Sequence, residues 1–126
     1  ALAREFIEKL KADGMQVIVD TDAGIEHFGR GVEAGSDRIV VVIDPSFESV
    51  QLSEKISEMG AKINKPVCFI LNRMNEDAAE LSSLVDGKKV IGSVPFDRDV
   101  FQACLKGSQV PQLAEMKEIV DRLLAE

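Results

Sequence analysis

At 126 residues, with 45% hydrophobic and 29% charged side chains, the chain has the length and apolar content of one domain with a packed core, spanning 1–126. A net charge of −7 and only six Phe as aromatics leave no basic face for phosphates and no multi-base stacking platform, so no nucleic-acid partner is expected. The longest apolar runs, five residues each at 39–43 and 67–71, are far too short to span a membrane, and the charged N-terminal segment does not read as a signal peptide, so a cytoplasmic protein away from membranes is expected.

Residues 1–12 repeat apolar side chains at Leu2, Phe6, Ile7 and Leu10, which is helix spacing, and Asp13-Gly14 stops it. Residues 16–20 are a β-branched run closed by Asp20 and predict a strand. A glycine-punctuated loop with a short helical turn is expected over 21–35. A second apolar strand, 38–43, ends in Asp44. Pro45-Ser46 opens a helix with Leu52, Ile56, Met59 and Ile63 on one face, locally weakened by Gly60.

The third strand is 66–72, followed by a short helix over 76–85 that Asn75 is placed to cap. The fourth, 89–94, runs through Pro95-Phe96-Asp97 into a helix carrying Val100, Phe101, Cys104 and Leu105. A last helix is expected from Pro111, with Leu113, Met116, Val120 and Leu123 inward. Cys68 and Cys104 sit in apolar stretches without C-x-x-C spacing, so buried, reduced thiols are expected rather than a metal site.

Alternating helices and continuous apolar strands predict an α/β three-layer sandwich: a mostly parallel sheet of about four strands flanked by helices. Ligands of such sheets gather at the carboxyl ends of the strands. Asp20, Asp44, Asn72 and Pro95-Phe96-Asp97 fall at those ends, and this is the main residue-level pointer to a site.

The segment Asp20-Thr21-Asp22-Ala23-Gly24-Ile25-Glu26-His27-Phe28-Gly29-Arg30-Gly31 resembles the switch II region of the CooC-type carbon monoxide dehydrogenase accessory ATPases, within the MinD/ParA/nitrogenase iron protein superfamily. Asp44-Pro45-Ser46, Leu71-Asn72-Arg73 and Val94-Pro95-Phe96-Asp97 follow in the order the family has them, so the resemblance runs from Val17 to about Pro111. It implies ATP or ADP with Mg²⁺ as ligand, and Asp20 as the Walker B acid that holds Mg²⁺ through a water. It further implies Gly24 beside the γ-phosphate, Asp22 positioning the attacking water, Asn72 hydrogen-bonded to adenine, and Pro95, Phe96 and Asp97 packed along the base. Asn75 stands where a guanine reader of the N-K-x-D type needs an acid, which favours adenine.

Two family features are absent from these 126 residues: the phosphate-cradling G-x-x-x-x-G-K-S/T, and the C-x-C pair that holds nickel or zinc. The expectation is therefore the C-terminal portion of a P-loop ATPase domain, a truncated fold without its P-loop strand. Such a chain should not hydrolyse ATP alone, because phosphoryl transfer depends on that loop. The implied partners are a second copy or a missing N-terminal half, with carbon monoxide dehydrogenase as client through nickel insertion. The alternative is a non-catalytic, P-loop-less binding or regulatory module.

Other α/β readings fit less well. A phosphoacceptor receiver domain requires an acidic pair after its first strand and Lys-Pro after its fifth, whereas Lys65-Pro66 here precedes a strand. A membrane-cycling ATPase requires a basic amphipathic tail, whereas 112–126 carries four acids against Lys117 and Arg122.

Overall fold

A computed structural model describes residues 2–21 and 32–125. They form α1 (Leu2–Ala12), α2 (Val32–Gly35), β1 (Ile39–Ile43), α3 (Phe47–Lys62), β2 (Val67–Met74), α4 (Leu81–Leu84), β3 (Val90–Pro95), α5 (Arg98–Lys106) and α6 (Ala114–Ala125). The architecture is α/β, as expected, with a three-stranded sheet in the order β1-β2-β3 flanked by helices. The chain divides into two compact units, Ala1–Val40 with Gln51–Val67, and Val41–Val50 with Cys68–Glu126.

In the first unit α1 packs on α2. Arg4 pairs with Glu8 one turn on, and Lys11 donates to the Asp37 carboxylate. That hydrogen bond holds the Asp37 carboxyl below the usual aspartate range, with the positive charges of Lys11, Lys65 and Arg38 acting in the same sense. Gly60 is buried in α3 because a Cβ there would lie 2.4 Å from Val67 Cγ2. Lys65 N–H closes the helix end onto the Gly60 carbonyl.

Residues 16–20, expected as a strand, are irregular here. Val17, Ile18 and Val19 are exposed, Ile18 to 94%. A β-branched run becomes a strand only against a partner that accepts its backbone groups and covers one face. Among the described residues nothing pairs with this run.

The second unit holds most of the sheet. β2 is buried on both faces from Cys68 to Leu71, as a central parallel strand should be. It pairs with β3 in parallel, with a register shift between Leu71 and Met74. β1 reads as continuously apolar but alternates: Val41 and Ile43 are buried while Val40 and Val42 are exposed. Because Ile39 N–H bonds the Pro66 carbonyl, alternation turns the backbone groups of Val40 and Val42 away from β2, along the sheet edge.

The core of this unit joins Cys68, Ile70, Ile91, Val94 and Ile119, with Leu113 and Leu123 packed against it. α6 lies on β3, where Ile119 fills the space above Gly92 and Arg122 donates to the Ile91 carbonyl. The last helix begins at Ala114 rather than Pro111, its first turn closed by Met116 N–H on the Leu113 carbonyl. Leu113 and Leu123 pack against the core as expected and Ile119 is the fully buried residue of the helix, whereas Met116 and Val120, expected inside, are exposed. Residues 76–80 form a bend and turns rather than helix, and the one-turn α4 has Glu80 at its N-cap without a side-chain bond; Asn75 Oδ1 accepts from Ala78 N–H at 2.8 Å and so closes the turn ahead of α4 instead of capping the helix expected over 76–85. Cys68 is buried, but Cys104 is exposed, against the expectation of two buried thiols.

Candidate functional site

The carboxyl ends of β1, β2 and β3 carry the polar residues of the second unit. Asp44 directly follows β1, and the Asp44-Pro45-Ser46 segment passes into α3. Ser46 Oγ accepts from Ser49 N–H at 3.1 Å, a side-chain N-cap, and Ser49 Oγ accepts from Asp44 N–H at 3.1 Å. Those two bonds fix the Asp44 backbone. Its carboxylate Oδ1 accepts from Asn72 Nδ2 at 3.0 Å, joining the ends of β1 and β2.

One donor of the Asn72 amide is thereby used, and the amide orientation is set by an acceptor-only carboxylate. The amide oxygen and the second N–H remain as an adjacent acceptor and donor, the pair that complements the amino and N7 edge of adenine. Asn72 is half-buried, so such bonds would form with partial exclusion of water.

Beyond Asn72 the strand departs from regular pleating. Arg73 has a left-handed φ of 57°, within the register shift against β3. Phe96 N–H donates to the Met74 carbonyl at 2.9 Å, which draws the exit of β3 against the exit of β2. The Arg73 guanidinium carbon then lies 6.0 Å from the centroid of the Phe96 ring, and Phe96 in turn meets Phe101 at 6.1 Å and 42°. Both rings are about half exposed.

Asp97, grouped with Pro95 and Phe96 along a base, has a local structural task. Its Oδ1 accepts from Val100 N–H at 2.9 Å as the N-cap of α5, which ends at Gly107 in a left-handed C-cap. Asn72, Pro95, Phe96 and Asp97 are thus brought together within one unit, with Asp44 and Arg73 added. Asp44 was visible as a strand-end acid, but no sequence signal marks its bond to Asn72 across 28 positions.

Asp20 belongs to the first unit and is exposed at the end of the irregular 16–20 segment. Asp22, Gly24, His27 and Arg30 lie outside the described residues. A lone exposed carboxylate does not make an Mg²⁺ site, and among the described residues no three His, Cys, Asp or Glu side chains cluster so as to hold a metal. Nor is any described helix long and apolar enough to cross a membrane.

No family model matches the chain. It is 45% identical over 126 residues, 98% of its own length and 51% of the relative's, to an uncharacterized ATP-binding protein of Methanocaldococcus jannaschii. It is 36% identical over 84 residues, 64% of its length and 32% of the relative's, to the carbon monoxide dehydrogenase accessory protein CooC of Rhodospirillum rubrum. The solved MinD cell division protein of Aquifex aeolicus superposes on 98% of the chain and 60% of its own length, with a TM-score of 0.81 at 19% identity, a likeness of fold. The chain spans about half the length of the first of these relatives, or less.

Proposed function

We propose that this chain, a MinD/CooC-like relative spanning about half the length of such P-loop ATPases, is the adenine-nucleotide-binding portion of one of them. The observation that supports it most is the Asp44–Asn72 bond at the strand-end rim, which presents an oriented amide where open α/β sheets bind ligands. This chain's residues would read the base edge through Asn72 and pack along its plane through Pro95 and Phe96. The phosphate-cradling loop is not among these 126 residues, so the chain alone binds without hydrolysing. In the complete protein Asp20 would hold Mg²⁺ through water, and the chemistry would be stabilisation of phosphoryl charge.

The finer reading is that the ATPase works in the cytoplasm on nickel insertion into carbon monoxide dehydrogenase. Support comes from the 36% identity to CooC and the switch II-like string. A strand from a second copy, or from a half bearing the P-loop, is the expected partner, because the edge of β1 and the exposed run at 16–20 both lack one among the described residues. A non-catalytic module would keep the rim and bind nucleotide in the same way.

Titration calorimetry of the chain with ADP and GDP tests the reading. ADP should bind in preference to GDP, and Asn72→Ala should weaken ADP about tenfold, the worth of one to two net hydrogen bonds. Equal binding of both nucleotides, or an indifferent Asn72→Ala, would remove Asn72 as the base reader.

A further inference from the structure

We propose that Arg122 guards the outer edge of β3: its guanidinium holds a backbone carbonyl that an incoming strand would need, and so closes that edge of the sheet to strand addition. The role is independent of nucleotide, and it leaves β1 as the edge on which a partner strand docks.

β3 is the last strand in the order β1-β2-β3, so among the described residues no strand pairs with its outer side. An open edge of this kind is a template for another chain. What it offers depends on where each carbonyl points. Phe69 N–H takes the Lys89 carbonyl at 2.8 Å, which directs that carbonyl to β2. Regular alternation would direct the Ile91 carbonyl to β2 as well. The register prevents it. Phe69 lies opposite Val90 and Ile70 opposite Gly92, so β3 uses two residues where β2 uses one. The extra residue shifts the alternation by one position, and the Ile91 carbonyl comes to the open edge, where Arg122 Nη1 donates to it.

The placement of Arg122 follows from the packing of α6. Ile119 is buried over Gly92 and fixes the helix on β3, and Arg122 follows nearly one turn later. Its long apolar stem reaches the strand while the charged end stays hydrated, and Arg122 is exposed. Its hydrogen bond to the carbonyl is charge-assisted, hence stronger than the neutral amide bond that a docking strand offers in exchange. A docking strand would also have to displace or bury the guanidinium, which is costly without an anionic partner. Pro95, further along β3, lacks the N–H that strand addition uses, and proline suits an outer strand. β1 has neither device: residues 39–43 are Ile-Val-Val-Val-Ile, with Val40 and Val42 exposed and no Arg, Lys or Pro among them.

Sedimentation velocity over a concentration series, with hydrogen exchange read along the chain at the highest concentration, compares the 126-residue chain with three variants. Arg122→Met keeps a long stem and removes every donor, whereas Arg122→Lys keeps a donor. Ile119→Val loosens α6 and leaves Arg122 in place. Arg122→Met should self-associate about tenfold more tightly than wild type, with exchange slowed over 90–95. Arg122→Lys and Ile119→Val should associate as wild type does and show no slowing there.

An Arg122→Met chain that associates no more tightly than wild type refutes the guard, as does a wild type that itself pairs through 90–95. Equal slowing in Ile119→Val assigns the effect to a loosened α6 and also overturns it. Association of Arg122→Met without slowing over 90–95 overturns it too, because the apolar methionine and not the freed carbonyl would then be responsible.

Discussion

Gly92→Ala is the perturbation whose cost can be worked most directly from the packing of α6 on β3. An added Cβ would lie 2.4 Å from Ile119 Cγ1 and 3.0 Å from Cδ1. Ordinary carbon contacts are about 3.5–4.0 Å, so Cγ1 must retreat by roughly 1 Å or more. Ile119 is 1% exposed and enclosed by Cys68, Ile70, Ile91 and Val94, and Arg122 ties its helix to the Ile91 carbonyl. Relief therefore comes from an off-rotamer Ile119, at about 0.5–1.5 kcal/mol, or from displacement of α6, and overpacking of this kind costs about 1–3 kcal/mol. The reduced freedom of the unfolded chain returns roughly 0.4–1 kcal/mol, leaving a net loss of about 1–2 kcal/mol. At about 2.1 cal/mol/K of unfolding entropy per residue, the melting temperature falls by about 4–8 °C.

Urea unfolding followed by far-ultraviolet circular dichroism reads this loss as a lowered midpoint at unchanged slope. Ile119→Ala should cost about 2–5 kcal/mol alone, and the Gly92→Ala/Ile119→Ala double variant should be less destabilised than the sum by about 1 kcal/mol or more, because the new methyl enters the vacated space. A Gly92→Ala midpoint at or above wild type, or an additive double variant, would refute this packing of α6 on β3.

Asp97→Ala should destabilise the chain by about 1 kcal/mol through loss of the α5 cap, and Asp97→Asn should recover most of it in the same unfolding assay. Ile18→Lys should shift stability by less than about 0.5 kcal/mol, because the side chain is 94% exposed; a loss of several kcal/mol would mean that residues 16–20 are buried in a sheet. Asp37 has a lowered carboxyl pKa, so its contribution is fully present above the ordinary value of about 3.9 and disappears as pH falls through the lowered one. The melting-temperature gap between wild type and Asp37→Asn should thus be flat above about pH 4 and close below it, and a gap independent of pH would discount the Lys11 bond.

The parts of the fold that were legible in the sequence were those decided by burial. The strand expected at 66–72 became β2, Val67–Met74, because nothing but a doubly buried strand suits Cys68-Phe69-Ile70-Leu71. The run at 16–20 has the same residue types and no partner among the described residues, and composition cannot report whether a neighbour is present. The inward face of α6 was partly misplaced, with Leu123 right and Met116 and Val120 wrong, because Met116, Ile119, Val120 and Leu123 satisfy helical spacing in two ways; it is Ile119 that lies over Gly92. At the rim, strand-end positions exposed Asp44, Asn72 and Asp97 to inspection. The left-handed turn at Arg73 was invisible, since Arg carries no preference for that backbone region and only the pairing with β3 shows the shift.

The outer edge of β1 offers a label-free report on any strand that docks against it. Amide protons that bond to β2 are held in the ladder, whereas those of Val40 and Val42 face away from it and should exchange with solvent as freely as loop amides. Deuterium uptake along Ile39–Ile43 would then alternate residue by residue. A strand docking on that edge would slow exactly two amides, Val40 and Val42, and erase the alternation. Any strand that docked there, whatever its sequence, would announce its register on β1 before it had been identified.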